Sequence, residues 1–188
     1  AEVEVDLITG QVKLLRMVTA HDCGRPINPM LVEGQLEGSV VGGMGQALYE
    51  DVIVEKGQVM NPSFLDYGFP TFLEMPEIEA IEVETDDPIG PFGAKEAGEG
   101  TQLSPAPAIV NAIYDAIGVD FMELPITPEK ILKALEEKKI EPRPRGPGFY
   151  GRKKQGGVVC KSPVSEITSE TGDLAKSRDG IWQRFLPF

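Results

Sequence analysis

With 188 residues, 41% of them apolar and 26% charged, the chain has the make-up of one ordinary globular domain with an appendage. No uninterrupted apolar run of about 18 residues is present, so the sequence offers no membrane-spanning helix. The formal net charge of −12 argues against a nucleic-acid partner.

That charge is unevenly placed. Residues 1–140 carry 9 basic against 25 acidic side chains, whereas residues 141–188 carry 9 against 5. The break divides an expected body, 1–140, from a Pro/Gly-rich extension, 141–188, to which the sequence assigns no role. Cys23 and Cys160 stand far apart without a CxxC partner, so neither an iron–sulfur cluster nor a structural zinc is expected on this chain. A reducing, cytoplasmic setting is the expectation. The single His21 beside Asp22 reads as a local hydrogen-bond partner rather than a metal ligand. The opening residues lack the basic start and apolar stretch of a signal peptide and read as a strand inside a larger architecture.

Residues 2–8 alternate apolar and acidic side chains, Thr9-Gly10 supplies a turn, and residues 11–20 return as a second strand. Asn28-Pro29 then offers an N-cap and a first helical residue. In residues 30–51, Val32, Leu36, Val40, Met44 and Leu48 recur at helical spacing and are expected in the core. Gly34, Gly38, Gly42, Gly43 and Gly45 lie in the same run. Each costs a helix about 0.5–1 kcal/mol relative to alanine. Two readings account for them: close packing of a second helix, or a bulky cofactor lying along this one with Gln35 as its polar contact.

Residues 52–59 read as a hairpin around Lys56-Gly57, residues 64–72 as an aromatic irregular stretch, and residues 77–85 as a strand. Residues 86–101 form a glycine- and proline-rich loop carrying Lys95, Glu96 and Glu99. Such a loop suits an anionic ligand and a carboxylate base, although a solvated loop with a charged cap has the same composition. Residues 103–118 read as a helix with Leu103, Ala106, Ile109, Val110, Ile113 and Ile117 on its apolar face and Gly118 at its end. A last helix is expected from Thr127-Pro128 to about residue 139. Beyond it, Trp182, Phe185 and Phe188 read as docking anchors.

Four pieces, in this order, resemble one family. They are Asp22-Cys23-Gly24-Arg25-Pro26-Ile27-Asn28-Pro29; Val32-Glu33-Gly34-Gln35-Leu36-Glu37-Gly38 through Gly45-Gln46-Ala47-Leu48-Tyr49-Glu50; Gly93-Ala94-Lys95-Glu96-Ala97-Gly98-Glu99-Gly100; and the helix 107–118. Over residues 1–139 the chain resembles the C-terminal part of the molybdenum-binding subunit of the xanthine dehydrogenase/aldehyde oxidase family. The resemblance implies an α+β fold within a molybdopterin-binding region. It also implies a molybdenum-dependent oxidoreductase acting on an aromatic, N-heteroaromatic or aldehyde substrate, as a hydroxylase or as a reductive dehydroxylase.

By the same resemblance Glu99 matches the family's active-site glutamate beside the molybdenum, the general base. Gln35 matches a cofactor-contacting glutamine, and Gly93, Ala94, Lys95, Ala97 and Gly98 would lie near the pterin. Phe92 and Tyr67 are weaker candidates for substrate walls. Gly42 stands where many members carry a second glutamine, and Glu96 where many carry a small residue. The Lys95-Glu96-Ala97-Gly98-Glu99 run is closest to that of 4-hydroxybenzoyl-CoA reductase-type members. The implied cofactor is molybdenum-molybdopterin, with its cytosine dinucleotide form as one option. Iron–sulfur clusters and FAD belong on partner chains.

Family molybdenum subunits are several times longer, so the expectation is a subunit split between this chain and others, active only in the assembly. Its partners would be the rest of the molybdenum subunit, an iron–sulfur subunit and, where used, a flavin subunit. The rival reading is a non-catalytic assembly subunit. An intact Glu99 and the glycine-rich helix weigh against it.

Overall fold

A computed structural model describes residues 1–138, 150–154 and 157–161. The first hairpin forms as its alternation predicts. β1 (Glu2–Asp6) pairs antiparallel with β2 (Val12–Asp22), with the alternate residues Val3 and Val5 buried in β1 and Leu14 and Met17 buried on either side of a register shift in β2. The Asp6 carboxylate accepts the N–H groups of Ile8 and Thr9 and closes the turn. Asn28 then caps α1 (Pro29–Leu48): its side-chain oxygen accepts the N–H of Leu31, and Pro29 sits at the start.

α1 buries Leu36, Val40, Met44 and Leu48, while Val32 is only half-buried. It ends at Leu48 rather than Asp51, with the Tyr49 and Glu50 N–H groups both turned back on the Gly45 carbonyl. A short hairpin of β3 (Val54–Glu55) and β4 (Gln58–Val59) follows, and Lys56 and Gly57 both take positive φ in its turn. A Thr71/Glu74 capping box fixes a single 3-10 turn before β5 (Glu77–Val83).

β5 lies parallel to β2, running from Arg16 opposite Glu77 to Asp22 opposite Val83. Parallel neighbours need a long crossover, and α1 provides it, packing on both strands. The glycine loop leads into α2 (Glu99–Gln102) and, after Leu103 and Ser104, α3 (Pro105–Ile117). The single helix expected from residue 103 is thus two: Pro105 has no N–H to continue α2 and instead opens α3. Leu103 falls in the joint and is 78% exposed, whereas Ala106, Ile109, Ile113 and Ile117 are buried and Val110 is half-buried. Gly118 closes α3 in the left-handed conformation.

α4 (Pro128–Lys138) buries Ile131 in the core. Within the Pro/Gly-rich extension, residues 150–154 and 157–161 are sheet. β6 (Tyr150–Lys154) and β7 (Gly157–Lys161) form a hairpin, and β7 pairs antiparallel with β1, giving the order β5-β2-β1-β7-β6. α1 and α3 pack on one another and on this sheet around one continuous core, an α+β layered arrangement. Trp182, Phe185 and Phe188 lie outside the described residues.

Candidate active site

In open α/β sheets, ligand sites lie beyond the carboxyl ends of the parallel strands. Here the carboxyl ends of β2 and β5 release the two segments that carry the family-like motifs. They are stitched together by backbone. The Lys95 N–H donates to the Cys23 carbonyl (2.8 Å), and the Arg25 N–H donates to the Gly93 carbonyl (2.8 Å). Gly24 has φ +63°, and a Cβ there would stand 2.3 Å from the Gly93 oxygen, so this closure requires glycine.

Lys95 turns to the same brace. Its ammonium donates to Asp22 Oδ2 (2.6 Å) and Thr85 Oγ1 (2.8 Å), and Asp22 also accepts the Gly24 N–H (2.9 Å). The Lys95 ammonium, followed by the Thr85 hydroxyl and the Gly24 N–H, holds the Asp22 carboxyl far below the usual carboxylate range. His21 departs from its expected partner. Its Nε2 meets the Glu96 carbonyl (2.9 Å) and Glu96 Oε1 (3.3 Å), not Asp22.

On the other side the loop is fixed to α1. The buried hydroxyl of Ser39 lies 2.7 Å from the Gln35 carbonyl and 3.0 Å from the Gly98 carbonyl. Thr101 Oγ1 lies 2.7 Å from Ser39 Oγ and 2.8 Å from the Gly98 oxygen. Two hydroxyls therefore join the backbone carrying Gln35 to the backbone carrying Glu99. Gln35 Oε1 stands 3.3 Å from where a Cβ on Gly98 would lie, so the two expected contact residues meet in space. Glu99 follows directly, exposed at the first position of α2, and among the described residues no hydrogen bond or ion pair holds its carboxylate.

The five glycines of α1 differ in what lies over them. A Cβ on Gly43 would stand 2.6 Å from Pro105 Cβ, so that glycine serves packing on α3. Gly45 accommodates the Glu50 carboxylate, which turns back on the helix. The side-chain amide of Gln102 lies over Gly42, with Nε2 3.0 Å from a Cβ built there. Gly34 and Gly38 have no described atom within 4 Å of such a Cβ. They leave a stretch of bare, exposed helix backbone beside Gln35, an open lane on α1.

The loop backbone itself is largely satisfied within the chain. The N–H groups of Gly93, Ala94, Lys95, Gly98 and Gly100 all find acceptors in it. Ala97 is half-buried within this braced run. Phe92 is 82% exposed at φ +57° beside the brace. Tyr67 is not brought to Glu99. Its hydroxyl donates to Glu50 Oε2 (2.6 Å), beyond the far end of α1, about 20 Å along the helix from Gln35 at 1.5 Å per residue.

A cleft of 360 Å³ between β2, Tyr49 and the start of α4 includes no residue of the loop. Among the described residues no three His, Cys, Asp or Glu side chains are grouped to hold a metal ion. Nor is any described helix long and apolar enough to cross a membrane. Ser39, Thr101 and Thr85, which help position the loop, carry no signal in the sequence, because the contacts by which they tie distant segments together span 59 to 63 positions.

The molybdopterin cofactor-binding domain family matches residues 1–76. The chain is 40% identical over 139 residues to the probable hypoxanthine oxidase XdhD of Escherichia coli, covering 73% of this chain and 14% of that protein. It is also 40% identical over 138 residues to the nicotine 6-hydroxylase large subunit of Paenarthrobacter nicotinovorans, covering 71% of this chain and 17% of that one. Among solved structures, quinoline 2-oxidoreductase from Pseudomonas putida 86 superposes with a TM-score of 0.68 at 37% identity, covering 72% of this chain and 18% of the other. The chain thus spans less than a fifth of the length of these relatives. The brace, the glycine lane and the Glu99 loop lie inside the shared region, and the chain belongs to the molybdenum-binding subunits of the xanthine dehydrogenase/aldehyde oxidase family.

Proposed function

We propose that this chain forms the base-bearing wall of the active site of a molybdopterin-dependent oxidoreductase assembled with other chains. The observation that carries the reading is Glu99, an exposed carboxylate unpaired among the described residues, beside the Gly98–Gln35 junction at the edge of the open α1 lane. A bound molybdenum-molybdopterin would supply the two-electron redox centre. Gln35 would hold the cofactor by its side-chain amide, the bare backbone at Gly34 and Gly38 would admit it, and residues 93–98 would wall it. Within that run Lys95 acts through its brace to Asp22 rather than by direct contact.

Glu99 accepts a proton as the oxygen nucleophile is activated. A carboxylate needs no further activation for this role, only a fixed position within hydrogen-bond reach. Phe92, exposed beside the brace, would form part of the substrate wall, and the substrate class is an aromatic, N-heteroaromatic or aldehyde compound. The cytosine dinucleotide form is one option for the cofactor. Iron–sulfur clusters and FAD would sit on partner chains, and residues 141–188 would be an extension whose hairpin adds to the sheet edge.

Glu99→Gln in the assembled enzyme tests the assignment. Turnover is expected to fall by about 10²–10⁴-fold, the usual worth of a positioned base, at unchanged molybdenum content. Native turnover in that variant refutes the role of Glu99.

A further inference from the structure

Glu99 sits between two glycines on a helix of four residues, the local sequence least able to fix a side chain. Gly98 provides no side-chain cap. The cap comes from elsewhere in the loop. Glu96 Oε2 accepts the N–H of Gly98 (3.2 Å) and the N–H of Gly100 (3.1 Å), the residues immediately before and after Glu99. The other oxygen, Oε1, faces His21 Nε2 at 3.3 Å, and the same imidazole donates to the Glu96 carbonyl at 2.9 Å. His21 belongs to β2 and pairs there with Glu82 of β5, so the chain of contacts runs from the sheet through Glu96 to the backbone on either side of Glu99.

We infer that Glu96 is a positioning residue for the base: its carboxylate, oriented by His21, clamps the backbone on both sides of Glu99 and sets where that side chain points. The proposal rests on Glu99 being the base. Two further observations support it. A Cβ on Gly100 would stand 2.1 Å from Glu96 Oε1, so Gly100 leaves the space that the clamp fills. The Gly100 N–H, more than any other contact, holds the Glu96 carboxyl below its ordinary range, so the clamp stays ionised, and acceptor-only, at neutral pH.

The test uses the assembled, molybdenum-loaded enzyme and compares Glu96→Ala, Glu96→Gln, Gly100→Ala and Glu99→Gln. Loss of positioning by about an ångström costs about 10²-fold in rate, so Glu96→Ala is expected to lower kcat by about 10–100-fold with KM and molybdenum content unchanged. Glu96→Gln keeps an oxygen acceptor for both N–H groups but gives up the charge and the contact of the second oxygen with His21, and is expected to recover kcat to within about fivefold. Gly100→Ala displaces the Glu96 carboxylate and crowds the His21 ring (Cε1 3.2 Å from the added Cβ), the two members of the clamp, and is expected to mimic Glu96→Ala. Amide hydrogen exchange over residues 96–102 should quicken in Glu96→Ala and Gly100→Ala but not in Glu96→Gln.

Native kcat and native exchange in Glu96→Ala overturn the clamp, as does a Gln variant no better than Ala. A kcat loss that tracks lost molybdenum also overturns it, by showing a merely structural role. If Glu96→Ala behaves as native while Glu99→Gln is inactive, the clamp alone fails. If Glu99→Gln keeps native turnover, the base reading fails and the clamp falls with it.

Discussion

The open lane on α1 makes the most demanding prediction, because the chain's own energetics and its proposed task pull in opposite directions. Gly34 and Gly38 lie in the interior of a 20-residue helix, exposed, with no described atom near a prospective Cβ. Nothing in the described fold therefore opposes alanine at either site. Each Gly→Ala change should stabilise the chain by about 0.5–1 kcal/mol through helix propensity and reduced unfolded-state entropy. The pair should contribute about 1–2 kcal/mol, or roughly 2–8 °C in melting temperature for a chain of this size. In the assembled enzyme the same two methyl groups would stand on the surface proposed to receive the cofactor. Molybdenum per assembled enzyme should fall in Gly34→Ala/Gly38→Ala even as the isolated chain melts at higher temperature. Thermal melts of the chain and metal analysis of the assembly read the two effects separately. A stabilised double variant with full molybdenum occupancy would refute the lane as the cofactor's bed. A destabilised one would refute the claim that the lane is open.

Gly43 should respond the other way. A methyl there meets Pro105 Cβ at 2.6 Å and the Ala106 nitrogen at 3.3 Å. Overpacking costs about 1–3 kcal/mol against a propensity gain of less than about 1. Gly43→Ala should lower the denaturation midpoint, and a higher midpoint would show that α1 and α3 are not in contact there. Asp22→Asn addresses the brace. Its folded pKa lies below an unfolded value of about 3.9, so its stabilisation is complete above that pH and is lost as pH falls through the folded value. Denaturation midpoints measured from pH 7 down to pH 2 should therefore fall less steeply below pH 4 in the Asn variant than in the native chain. Parallel curves below pH 4 would remove Asp22 from the brace.

Local physics made much of this chain legible without coordinates. The alternation in residues 2–8 marks a half-buried strand, because strand side chains alternate faces, and the Thr9-Gly10 turn makes residues 11–20 its returning partner. Asn28-Pro29, Gly118 and Thr127-Pro128 marked helix ends through caps and backbone preferences that need no distant partner. The order of the Asp22, Val32 and Gly93 motifs pointed to a molybdenum-binding subunit, a membership the relatives bear out. Two features were decided by the fold. Pro105 divided the expected helix and left Leu103 exposed, and residues 150–154 and 157–161 of the Pro/Gly-rich extension, to which the sequence assigned no element, supply the hairpin of β6 and β7 on the edge of the sheet.

What the sequence alone determined are properties settled within a few residues: strand alternation, helix caps, and the presence of glycine where side chains would be expected. Which glycine faces a neighbouring helix and which faces open space was decided only by tertiary structure. Gly43 and Gly38 are chemically identical in the sequence and differ solely in that α3 lies over one of them. The parallel register of β2 and β5, the turn of Lys95 to Asp22 and the reach of Glu96 to His21 are of the same kind. Each joins residues about 60 to 75 positions apart, and no local preference carries information across that distance; only the folding of α1 onto the sheet brings them together.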